Sequence, residues 1–194
     1  MAKLQLAQRI VGTEAEGPGR RAALWVQGCS LRCPGCCNPE LFTPHGGTAV
    51  DVEALARELL ADRTLEGISL LGGEPTEQAE GCAALAAAVQ RGGLSVMLYT
   101  GYTLAELRAR GSPHVDALLA HTDLLVDGRY ERDQHDTTRR WIGSRNQTLH
   151  FLTSRYRADD PRFQAPNTIE LRLDRGGVTV NGWPRESDLV WRRR

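Results

Sequence analysis

The stretch ALWVQGCSLRCPGCCNPE, residues 23–40, joins an apolar β-type run, Ala23–Val26, to a loop carrying Cys29, Cys33 and Cys36 at the spacing C-x3-C-x2-C. No fourth ligand of the same pattern follows downstream. Thiolates are soft and select iron–sulfur clusters, zinc or copper, and a structural zinc or cluster site ordinarily closes with four protein ligands. Three ligands leave one metal corner open, and an open corner is where chemistry takes place. The same spacing also suits a zinc site closed by Cys37 or His45.

Outward from this loop, short apolar runs alternate with amphipathic ones. Strands are expected near Leu4–Val11 and over Ala23–Val26, Gly67–Leu71, Leu94–Tyr99, Asp123–Val126 and Thr148–Leu152. Helices are expected over VDVEALARELLADR, where Val52, Leu55, Leu59 and Leu60 recur at helical spacing, and over EQAEGCAALAAAVQRGG, ending on Gly92-Gly93. Two shorter helices follow, Thr103–Arg110 and Pro113–His121. Such alternation predicts an α/β fold with a parallel sheet and right-handed crossovers. A full eight-unit barrel needs about 250 residues, so 194 residues allow a partial (β/α) barrel of five to six parallel strands. Thr168–Asn181 alternates apolar and polar residues around Asp174–Gly177 and predicts a β-hairpin appended to the main sheet. The expected organisation is a single domain over 1–194, with its core at about 20–155 and the hairpin extension at about 166–184. Gly128 to Asn146 is charged and lacks periodicity, as an ordered loop or flap would.

Lysine plus arginine balance aspartate plus glutamate at 24 each. Zero net charge argues against a duplex-DNA binder, whose affinity would come mainly from neutralised phosphates; the basic end Trp191–Arg194 is expected to be a solvated tail. The polar N-terminus and the absence of an apolar run of membrane length point to a cytoplasmic protein with no membrane partner. There, clustered cysteines bind metal more often than they form disulfides.

In an α/β sheet, ligands gather at the carboxyl ends of the strands. Four motifs fall there: the cysteine loop, Gly72-Gly73-Glu74-Pro75, Thr100-Gly101-Tyr102 and Asp127-Gly128-Arg129. Each has a plainer reading. Gly72–Pro75 and Asp127-Gly128 also suit ordinary turns. Cys82, in an alanine-rich helix, suits packing. His45, His114, His121, His135 and His150 form no ligand spacing, and Gly143–Gln147 has no assigned role.

CSLRCPGC followed by a strand ending in GGEP resembles the radical S-adenosylmethionine (radical SAM) superfamily. The closer resemblance is to the anaerobic ribonucleotide reductase activating branch, on Cys29, Cys33, Gly35, Cys36 and Asn38 of its C-x3-C-x-G-C-x-N loop, with further likeness in LYTGYTLAEL, LLVDGRY and GSRNQ. The likeness runs roughly from Leu24 to Leu152. It implies a 4Fe–4S cluster on Cys29, Cys33 and Cys36, with S-adenosylmethionine chelating the open iron. It further implies a glycine-permitted approach to the methionine ammonium at Gly72 and Gly73, with Glu74 orienting that strand end. Thr100, Asp127 and Arg129 would stand around the methionine carboxylate. Cys37 occupies a position where relatives carry an aromatic residue near the adenine, so a thiol there departs from the pattern.

The resemblance implies a glycyl-radical activase that meets a one-electron donor of flavodoxin or ferredoxin type and a large partner enzyme closing its open face, with Arg129–Arg140 as a docking surface. Two other expectations stand beside it: radical chemistry on a peptide, nucleotide or metabolite, and an iron–sulfur electron carrier that never cleaves SAM.

Overall fold

The structure is a computed structural model, describing residues 2–174 and 177–182. The expected basic end Trp191–Arg194, the end of the proposed extension at 183–184 and the hairpin-turn residues Arg175 and Gly176 lie outside the described residues. Among the described residues nine strands are formed: β1 Lys3–Thr13, β2 Arg21–Val26, β3 Thr48–Asp51, β4 Gly67–Gly72, β5 Ser95–Tyr99, β6 Leu124–Asp127, β7 Thr148–Phe151, β8 Ile169–Asp174 and β9 Gly177–Gly182. The same described residues form four α-helices: α1 Val52–Ala61, α2 Ala79–Arg91, α3 Leu104–Ala109 and α4 Pro113–Ala120. Among the described residues no helix is long and apolar enough to cross a membrane.

The helix starts are written locally. The Asp51 carboxylate accepts from Ala54 N at 2.8 Å ahead of α1, Thr103 and Glu106 form a capping box on α3, and Ser112 caps α4 with Pro113 behind it. Helix α2 stops at Gly92, and Gly93 takes a φ of +95° that its lack of a side chain permits.

The sheet corrects the expected architecture. It is an open, mixed, seven-stranded sheet in the order β3-β1-β2-β4-β5-β6-β7 and not a partial (β/α) barrel of parallel strands. Only β2, β4, β5 and β6 run parallel, while β1 is antiparallel to both β2 and β3, and β7 is antiparallel to β6. The connections explain this. A parallel neighbour needs a crossover over one sheet face, usually a helix. The link from β1 to β2, residues 14–20, is too short for one, and the link from β6 to β7 contains only a 3-10 turn at Arg132–Gln134. Hairpin β8–β9 forms as expected, but as a separate two-stranded sheet rather than an added pair in the main one.

The parallel strands are buried on both faces, as their continuous apolar runs require. On one face Leu24, Leu70, Leu98 and Leu125 pack beneath α1, α2 and α4 through Leu55, Leu59, Leu85, Val89 and Leu118. Among the described residues the other face carries no α-helix. Trp25, Leu71 and Tyr99 gather there with Ile10 and Leu41, and Met97, Leu124 and Val126 pack against Trp141, Ile142 and Tyr156 from the later loops. Between these clusters and the strand ends the helix-free face opens into a cleft.

Candidate functional site

The cleft, of about 320 Å³, lies where the carboxyl ends of the four parallel strands meet the helix-free face. Cys29, Cys33, Cys36, Cys37 and Asn38 line it from the loop after β2, Gly72, Gly73 and Glu74 from the end of β4, and Thr100 from the end of β5. Strand-end motifs separated by up to 71 positions are thus brought onto one cavity because parallel strands present all their carboxyl ends on the same edge.

Positive-φ residues shape the cysteine loop: Gly28 at +94°, Arg32 at +48° and Gly35 at +76°. A Cβ on Gly35 would stand 3.0 Å from the Arg132 Nε, so both conformation and space ask for glycine. Gly35 itself does not line the cleft. Backbone bonds from Gly28 N to Leu41 O at 3.0 Å and from Cys36 N to Cys33 O at 3.1 Å fold the loop on itself.

Gly72 and Gly73 answer first to the protein backbone. Gly72 has a φ of +105°, and its Cβ would stand 2.6 Å from the Trp25 Cα. A Cβ on Gly73 would overlap the Gly28 carbonyl oxygen. In their absence Gly73 N donates to Val26 O and Glu74 N to Gly28 O, both at 2.8 Å. The two glycines therefore press the β4 end flush against the root of the cysteine loop.

Glu74 is fully buried and accepts four hydrogen bonds: from Thr76 N at 3.0 Å, Thr76 Oγ1 at 2.7 Å, Thr100 Oγ1 at 2.9 Å and Gly101 N at 2.9 Å. Burial raises its pKa against the pull of those bonds. It ties the ends of β4 and β5 together, and the Thr100 hydroxyl is committed to it. Asp127 is buried outside the cleft lining, where its carboxylate accepts from Leu104 N at 2.6 Å and stands 3.0 Å from His150 Nε2. Arg129 is exposed between Gly128 and Tyr130, which line the cleft, and its charge acts downward on the Cys33 thiol pKa against the upward push of burial.

The thiols are distinct. Burial raises Cys29 and Cys33. A hydrogen bond from Cys37 lowers Cys36 to about 6, and the same bond raises Cys37. Cys82 is wholly buried in α2, away from the cleft lining, and burial pushes its pKa well above the usual thiol range, as for a packing thiol. Among the described residues no three His, Cys, Asp or Glu side chains converge on one ion-sized point. Three soft thiols spread along one loop of a cleft are a donor set that fits a cluster of several irons.

Several cleft residues carry no local motif. Glu16, from the β1–β2 turn, is 5 % exposed, accepts from Gly182 N at 3.1 Å, and is raised to about 8 chiefly by burial. The Tyr99 hydroxyl is buried with no hydrogen-bond partner among the described residues. Asn181, on β9, donates to Thr13 Oγ1 at 2.7 Å. These three meet only through tertiary packing, and no contiguous motif marks them in the sequence.

A family model described as a 4Fe–4S single cluster domain matches residues 15–150. The anaerobic ribonucleoside-triphosphate reductase-activating protein of Vibrio cholerae is 36% identical over 147 residues, covering 71% of this chain and 91% of the relative. The protein of that name from Escherichia coli K12 is 34% identical over 146 residues, covering 70% and 91%. The one from Enterobacteria phage T4 is 31% identical over 140 residues, covering 69% and 85%.

Proposed function

Since the chain belongs to the family of anaerobic ribonucleoside-triphosphate reductase-activating proteins, with their 4Fe–4S single-cluster domain, we propose that it is a radical SAM oxidoreductase. It cleaves S-adenosylmethionine reductively and places a radical on a glycine of a large partner enzyme such as anaerobic ribonucleotide reductase. The observation that carries this reading is that Cys29, Cys33, Cys36 and the Gly72–Glu74 strand end share one cleft.

Cys29, Cys33 and Cys36 would hold the cluster, which when bound would supply a single electron. Gly72 and Gly73 leave a strand end without side chains for the methionine ammonium to approach. Glu74 acts indirectly, fixing that end against Thr100 and Gly101. Arg129 supplies the cation for the methionine carboxylate, and Asp127 holds the start of α3 beside it. Asn38 and Cys37 stand on the adenosine side, and Gly35 supplies the turn between the second and third thiols. Ile10, Trp25 and Leu71 make an apolar floor that limits water around a reactive radical. The electron comes from a flavodoxin- or ferredoxin-type donor, the partner enzyme closes the open face, and the chain works in the cytoplasm.

Anaerobically reconstituted, reduced protein should release 5′-deoxyadenosine from S-adenosylmethionine, and its absence would sink the proposal. Replacing any one of Cys29, Cys33 or Cys36 by alanine should abolish that release, while Cys82→Ala leaves it nearly intact and Cys37→Ala keeps the iron content. Iron lost in Cys37→Ala would show a wrong ligand set. A second reading draws on β9, which lies beyond the family-matched residues yet lines the cleft through Val180, Asn181 and Gly182. It keeps the radical chemistry and directs it to a peptide, nucleotide or metabolite. Deoxyadenosine release with no glycine-centred electron paramagnetic resonance signal on added reductase would favour it.

A further inference from the structure

We propose that Glu77 is a positioning residue that clamps the cysteine loop beside Cys29 and holds down the reduction potential of the cluster. The inference rests on Cys29 being a cluster ligand.

Glu77 sits in the 3-10 turn Pro75–Gln78, directly after the glycine-rich strand end. Its carboxylate accepts from Ser30 N at 3.0 and 3.3 Å and from Ser30 Oγ at 2.5 Å. Ser30 is the residue after Cys29. The neighbouring Gln78 donates from Nε2 to Gln27 O at 2.8 Å and to Gln5 O at 3.0 Å, and accepts from Gln5 N at 2.8 Å. One short turn therefore grips both flanks of Cys29, at Gln27 and at Ser30. The turn is itself anchored by Glu77 N donating to Glu74 O at 3.0 Å.

A loop clamp alone does not require a carboxylate, because a glutamine side-chain oxygen accepts from the same N–H. What glutamate adds is a negative charge at the peptide of a cluster ligand. Reduction places one more electron on the cluster, and a nearby anion opposes it. The potential falls, which suits a cluster that must reduce a sulfonium. The carboxylate also engages the Ser30 N–H, keeping that donor from cluster sulfur, where hydrogen bonding would raise the potential. Glu77 is exposed, so its field is screened by salt and its effect should shrink as ionic strength rises.

The test is the midpoint potential of the reconstituted full chain, followed by electron paramagnetic resonance in a mediated redox titration without S-adenosylmethionine or partner, at low and at high salt. Glu77→Gln should keep wild-type iron content and raise the potential by up to tenfold in the reduction equilibrium, about 59 mV for a one-electron couple, with a smaller shift at high salt. Glu77→Ala should show the upward shift together with faster loss of iron. A Glu77→Gln potential equal to that of the wild type at low salt overturns the charge role, and iron retention unchanged in Glu77→Ala overturns the clamp. Full iron content in Cys29→Ala removes the ligand premise and the inference with it. A wild-type cluster that titrates normally but releases no deoxyadenosine defeats the proposed function alone.

Discussion

Glu74 and Glu16 are two buried carboxyl groups in one cleft with opposite circumstances. Glu74 accepts four hydrogen bonds, so Glu74→Gln would turn an amide N–H₂ toward donors. The expected cost is about 2–3 kcal/mol from buried groups left unsatisfied, measured by urea denaturation of the iron-free chain. Glu16 accepts from the backbone at Gly182 N and lies near Glu170, Tyr99 and Cys37; burial first, then the Glu170 charge, raise it to about 8 against the pull of Gly182 N. The native state therefore holds a proton between the ordinary carboxyl value of 4.5 and about 8 that the unfolded chain has released. Stability from this group is present below 4.5 and is lost as pH rises toward 8. The melting temperature of the wild type should accordingly fall more between pH 6 and 8.5 than that of Glu16→Gln; parallel curves would contradict a buried neutral carboxyl. The cysteines and Gly72–Pro75 were legible because each motif is contiguous. Glu16, Tyr99 and Asn181 were not, since they lie on three different segments spread over 165 positions.

The segment between β6 and β7 shows the same limit for elements. Its lack of periodicity pointed correctly to an ordered loop, but not to the antiparallel return it makes. Order comes from side chains bonding backbone: Arg139 donates to Asp136 Oδ2 at 2.6 Å and to the carbonyls of Gln147, Ser144 and Arg145. Gln147 and Asn146, in the Gly143–Gln147 run, donate to the Gly128 and Arg129 carbonyls. Trp141 takes a φ of +62° at the far bend, and its indole packs edge-on against Phe163 with ring centroids 5.5 Å apart. Burial works upward on Asp136, but bonds from Arg139 and Thr138 hold its pKa well below the usual carboxylate range. Its contribution is therefore complete above an ordinary aspartate value and lost only as pH falls below it. At neutral pH, Asp136→Asn should raise amide hydrogen exchange at least tenfold across 131–147 while leaving the exchange of β4 and β5 unchanged. Uniform loss of protection through the sheet would mean the segment is part of the global folding unit and not a separately ordered flap.

At the scale of the molecule, helices on one face and loops on the other leave a cleft whose last wall comes from β8–β9. That hairpin is joined through its polar side: Glu170 accepts from Glu14 N at 2.7 Å, Arg172 donates to Gly12 O at 2.8 Å, and Asn181 reaches Thr13. Its other side leaves Ile169, Leu171, Leu173 and Val178 exposed, so little apolar burial secures it. The sheet and the cysteine loop, by contrast, are held by the helix-side core and by the Pro75–Gln78 turn, neither of which includes the hairpin. A chain ending at Ala165 should therefore still unfold cooperatively and keep its iron after reconstitution. Its melting temperature should drop by several degrees, at roughly 2–4 °C per kcal/mol lost for a chain of this size. Because the exposed apolar side leaves with the hairpin, the truncated chain should also bind less of the hydrophobic dye ANS than the full one, as apolar surface patches govern such binding. Greater dye binding, or loss of iron, would mean that the hairpin shields the core and supports the cluster loop, and that the helix-side core does not hold the sheet unaided.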